Sequence, residues 1–121
     1  MTDTDLPGTH SLLIYQSKKG SVEVSLAGDT LWLSQKEIAI VFDVEVPAIS
    51  KHIANILKEK ELLPGATVSK MERVQQEGSR QVRRQVEVYH LDMIISVGYR
   101  VNSGRATHFR QWATAIIISR W

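Results

Sequence analysis

His10, His52, His90 and His108 are the side chains with the widest chemistry in this sequence, and their spacing forms no metal-ligand set. No H-E-x-x-H, G-x-S-x-G or P-loop pattern accompanies them. Zero cysteines exclude disulfides, thiolate metal sites and cysteine nucleophiles, and permit a reducing interior. His90 and Asp92 stand two residues apart across an expected strand-to-helix junction, and no nucleophile, base and orienting group can be named together. The reading is therefore non-enzymatic, with no cofactor or metal. The chemistry that does concentrate is cationic. Arg80, Arg83 and Arg84 cluster in "SRQVRRQ", where they suit phosphate oxygens, and Gln35, Ser50, Lys51 and Asn55 carry donors suited to the edges and backbone of double-stranded DNA.

The segment "SQKEIAIVFDVEVPAISKHI" has to position the second group. Ser34 and Glu37 have the S-x-x-E spacing of a capping box, and Leu33 with Ile38 has the spacing of a hydrophobic staple. Ala39 is the small residue that a close helix crossing needs, and Asp43 occupies the turn, where a left-handed residue is expected. Pro47 can open a second helix at its first position, with Val46 as a cap that lacks a side-chain acceptor. Ile49, Ile53, Ile56 and Leu57 form its apolar stripe, which turns Lys51, Asn55 and Lys58 outward with Ser50 at the margin. The spacing predicts a helix-turn-helix over residues 34 to 42 and 47 to 58. At the start of the second helix, Glu45 repels phosphate and Val46 offers no hydrogen bond.

The first group belongs to a hairpin: "TVSKMERVQ", the turn-like "EGSR" and "QVRRQVEVY", in which Val82, Val86 and Val88 share a face. Such a wing could lie along a phosphate backbone or reach into a minor groove, or it could be a solvated edge protected by charge. Ahead of the helix pair, "LLIYQ", "VEVSL" and "LWL" read as a meander joined by "SKKG" and "AGDT". After the hairpin, Asp92 is placed to cap a short helix, and Asn102, Ser103 and Gly104 form a turn into a last helix. That helix carries Phe109, Trp112, Ala113, Ile116 and Ile117 on one stripe. The expected fold is α+β, a winged helix-turn-helix-like domain with an N-terminal β-meander and C-terminal helices. Its core should include Ile38, Ala39, Phe42, Ile49, Ile53, Phe109 and Trp112.

With 121 residues, 43% apolar and 23% charged, the chain fits one globular domain over residues 11 to 121, after a flexible tail at 1 to 10. The opening "MTDTDLPGTH" lacks a basic stretch followed by an apolar one, and no run approaches the ~20 apolar residues of a bilayer span, so a soluble cytoplasmic protein is expected. A net charge of +2 is modest, but acids stop after Asp92 while Arg100, Arg105, Arg110 and Arg120 follow. These arginines could extend a basic surface or pair with acids such as Glu87 and Asp92.

"WLSQKEIAIVFDVEVPAISKHIANILKEKEL" resembles the helix-turn-helix block of the virulence RhuM family of bacterial proteins, and "VYHLDMIISVGYRVNSGRATHFRQWAT" resembles that family's most specific signature. "FRQW" is also similar to the N-terminal domains of phage antirepressor and BRO-type proteins, which implies kinship with modules of mobile elements. The resemblance implies a DNA-binding, regulatory role and names no reaction. The sequence departs from the family at Asp43, where a turn glycine is usual, and at Glu45 and Val46, where a serine and an arginine are usual. The family continues beyond the position where "AIIISRW" stops, so a truncated chain is expected, with a homo-oligomer or protein partner covering the last apolar helix. The alternative function is a protein-interaction module of the same fold, using Val46 and Ile118 as its binding surface.

Overall fold

The first three strands are β1 (Ser11–Ser17), β2 (Gly20–Ala27) and β3 (Thr30–Leu33); Val22, Val24 and Leu26 alternate with polar residues in β2, whereas β1 has an unbroken apolar run from Leu12 to Tyr15. The computed structural model describes residues 11–101 and 104–119. The expected tail at 1 to 10, the turn residues Asn102 and Ser103, and Arg120 lie outside the described residues. Tyr15, Val22, Val24, Leu26, Leu31 and Leu33 point into the core, while Leu12 and Ile14 point away from it. Gly28, at φ 63°, opens the two-residue turn between β2 and β3 with the positive φ that a tight hairpin needs there.

The helix pair follows as α1 (Gln35–Phe42) and α2 (Val46–Lys58). The capping box forms as its spacing predicts: the Glu37 N–H donates to Ser34 Oγ at 3.2 Å, and the Ser34 N–H donates to Glu37 Oε1 at 2.8 Å. Leu33 and Ile38, the staple pair, are both fully buried. Asp43 takes the left-handed conformation, φ 57° and ψ 51°, which lets the Val44 N–H reach Ala39 O at 3.0 Å and close the end of α1. The start of α2 differs from expectation by one residue. Glu45 is the cap, without a side-chain hydrogen bond, Val46 is the first helical residue and Pro47 the second. Proline fits either position, because the first-turn N–H groups have no intrahelical acceptor.

A short helix, α3 (Pro64–Thr67), leads into β4 (Val68–Glu77), which turns at Gly78 into β5 (Arg80–His90). The five strands form one antiparallel sheet in the order β1-β2-β3-β5-β4. The junction between meander and hairpin is narrow, since β3 meets β5 only at Trp32↔His90 and Leu33↔Tyr89. Two helices complete the fold, α4 (Leu91–Val101) and α5 (Gly104–Ser119). Asp92 is not the cap of α4. It lies in the first turn, and its N–H donates to the imidazole Nδ1 of His90 at 2.9 Å, so the histidine takes the capping role.

The core joins sheet and helices through Ile38, Ala39, Phe42, Ile49, Ile53, Met93, Ile94, Val97, Phe109 and Ala113. Tyr15 meets Phe109 edge-on with centroids 5.1 Å apart, and Phe42 meets Phe109 at 6.2 Å. Trp112 is only half-buried, at the margin of this cluster, with its ring 5.0 Å from Tyr15. Gly98 permits the close crossing of α4 with α5 and α1: a Cβ there would lie 3.0 Å from Ala106 Cβ and 3.3 Å from Phe42 Cζ. Among the described residues, no helix is long and apolar enough to cross a membrane.

Candidate nucleic-acid interface

Ile49, Ile53 and Ile56 bury one side of α2 and leave Lys51, Ala54 and Lys58 at least partly exposed on the other. Of the α2 residues expected to meet DNA, Lys51 is exposed, whereas Ser50 and Asn55 are half-buried. Ser50 has a second attachment: its hydroxyl donates to Gln35 Oε1, while Gln35 Nε2 donates to Tyr89 Oη at 2.9 Å. Gln35 therefore links α1, α2 and β5 through one amide. Burial pushes the Tyr89 phenol above its usual range, which keeps it a neutral acceptor in this chain of hydrogen bonds.

The hairpin is tied to the helix pair at a residue that the spacing of the sequence does not single out. Arg73, in the middle of β4, places Nη1 2.6 Å from Glu37 Oε2 and Nη2 2.9 Å from Ser25 Oγ. Glu37 thus serves twice, one oxygen closing the capping box and the other holding the hairpin. Its partner is legible only in part. Arg73 alternates in phase with Met71, which opposes Val86, so it occupies the apolar face of the hairpin; nothing in the spacing says that a carboxylate on α1 awaits it.

The three hairpin arginines differ in their partners. Residues paired across the strands share a face, so Arg80 and Arg84 lie on one side of the hairpin and Arg83 on the other. Arg84 grips Glu77 with two hydrogen bonds, Nε at 3.0 Å and Nη2 at 2.9 Å. This fork raises the Arg84 pKa and lowers that of Glu77, each chiefly through the hydrogen bonds between them. Arg83 lies 3.2 Å from Glu72. Arg80, beside the turn, has no ion-pair partner among the described residues.

Arg100 and Arg105 pair with acids other than those the sequence suggested, and Arg110 pairs with a tyrosine. Arg100 Nη2 donates to Glu59 at 2.8 Å and to Glu61 at 3.1 Å. Arg105 Nη1 lies 2.9 Å from Asp43 Oδ2, without the alignment of a hydrogen bond. Arg110 donates to Tyr99 Oη at 2.7 Å and stacks over that ring. The cations with no ion pair among the described residues include Lys36 on α1, Lys51 and Lys58 on α2, and Arg80 at the hairpin tip.

Residues 66–119 match the model of the Virulence protein RhuM family. That stretch holds the hairpin, α4 and α5, and the helix pair lies ahead of the matched residues. Comparison with curated proteins returned no match, and comparison with solved structures returned none.

Proposed function

We propose that the chain is a DNA-binding module of the winged helix-turn-helix type, with α2 directed at the duplex and the β4–β5 hairpin along the phosphate backbone. The observation that carries this reading is the Glu37–Arg73 tie, which fastens the hairpin to the first helix of the pair and makes both parts of one body. The β3–β5 pairing supports it, because the strand ahead of the helix pair is bonded to the return strand of the hairpin. Lys51 and Arg80 are the primary phosphate ligands, with Lys36 and Lys58 contributing charge. Gln35 and Ser50 act first by orienting α2, and Asn55 reaches DNA only from its exposed edge. Arg83 and Arg84 join when phosphate displaces Glu72 and Glu77. On this reading the module is cytoplasmic and has no catalytic activity.

Base reading is weak, since Glu45 repels phosphate and Val46, 39% exposed, offers only an apolar surface at the start of α2. An anisotropy titration against random duplex DNA at two salt concentrations tests the proposal. Lys51→Ala with Arg80→Ala should weaken binding on all duplexes alike and flatten the salt dependence by about 0.9 log unit for each phosphate no longer neutralised. Equal binding by parent and variant, or none by the parent at low salt, would give the place to a protein-interaction module, for which the exposed Val46 and Ile118 are the supporting observation.

A further inference from the structure

The two edges of the sheet are built differently. β4 carries Lys70, Glu72, Arg73 and Glu77, the charge pattern that discourages a further strand. β1, at the opposite edge, reads Ser-Leu-Leu-Ile-Tyr-Gln-Ser without a charge, proline or bulge, and pairs only with β2 among the described residues. Its outer face exposes Leu12 by 52% and Ile14 by 59%. The two-residue turn that joins Ser17 to Gly20 makes them a hydrogen-bonded pair, so Leu12, Ile14 and Gln16 direct their backbone N–H and C=O groups to the open edge.

We propose that two copies of this chain pair antiparallel through β1, about a two-fold axis at Ile14, into one continuous sheet. In that register Ile14 faces Ile14 of the second copy and Leu12 faces Gln16, giving about six backbone hydrogen bonds across the axis. Leu12 and Ile14 of both copies then form one apolar cluster, through the direct and diagonal approaches of neighbouring strands.

The charges at the two ends of β1 select a second copy as the occupant. Lys18 stands exposed just past Ser17, and Asp29 stands exposed in the β2–β3 turn, beyond the end where Ser11 pairs with Leu26. Neither has an ion pair among the described residues. Antiparallel pairing brings Lys18 of each copy alongside the Asp29 end of the other, so the complementarity is satisfied twice. Glu23, beside Ile14 on β2, is kept from its counterpart by both β1 strands. The hairpins remain at the far edges of the joined sheet.

Sedimentation equilibrium of the full chain should give twice the 13.7 kDa chain mass. Ile14→Lys and Ile14→Glu should each sediment as a monomer with an unchanged circular dichroism spectrum, because the side chain points to solvent in the single copy. Mixed in equal amounts, the two variants should regain the dimer mass, since position 14 meets its own counterpart. A monomeric parent, a dimeric Ile14→Lys variant, or a mixture that stays monomeric would each overturn the proposal.

Discussion

Arg73 and Glu37, 36 residues apart, form a 2.6 Å ion pair in which only 13% and 16% of the side chains remain exposed. It links the edge strand to the first turn of α1, and it reinforces a sheet junction that is two residue pairs wide. Removing one partner strands the other charge in a partly dry site. Arg73→Ala should therefore cost on the order of 3 kcal/mol in urea unfolding. Amide exchange should rise in β4 and β5 more than in α1; equal protection in parent and variant would show that the pair does not hold the hairpin.

Glu72 and Glu77 hold Arg83 and Arg84 in ion pairs, so on the proposed DNA-binding reading they would compete with phosphate for these arginines. Glu72→Gln with Glu77→Gln should tighten binding to random duplex at low salt and steepen the salt dependence, by up to about 0.9 log unit for each arginine released. An unchanged slope would mean that these arginines stay off the phosphates.

Ala39 is buried in the middle of α1, with Phe42 and Ile49 in the same core. Ala39→Leu should overpack that crossing and lower stability by about 1–3 kcal/mol. The check is thermal denaturation, where an unchanged Tm would show room that the packing does not suggest.

Hydrogen bonding from Ser96, and then from Arg100, holds the Glu61 carboxyl below the usual carboxylate range. A folded-state pKa below the unfolded one contributes stability that is present above the unfolded value of about 4.3 and is lost as pH falls through the folded value. Glu61→Gln should thus lower the Tm at pH 7 and narrow its difference from the parent at pH 3. A gap that widens with acid would reverse the assigned sign.

Local signals carried much of this architecture. The capping box at Ser34 and Glu37, the left-handed turn at Asp43, the stripe of Ile49, Ile53 and Ile56, and the strand alternation on both sides of "AGDT" and "EGSR" act within a few residues, so their spacing alone specifies helix, turn and strand. The RhuM resemblance of the second half is likewise a property of the sequence, matched over residues 66–119. Partnership was decided by the tertiary structure. Three-dimensional placement gave Glu37 to Arg73, Asp43 to Arg105, Glu59 and Glu61 to Arg100, and Ser50 to Gln35. The division of Arg80 and Arg84 from Arg83, by contrast, follows from the two-residue period of a strand, and His90 at the start of α4 is a contact within two residues. An ion pair or a side-chain hydrogen bond depends on distances of about 3 Å between atoms, and for residues far apart in the chain only the packing of the elements sets those distances.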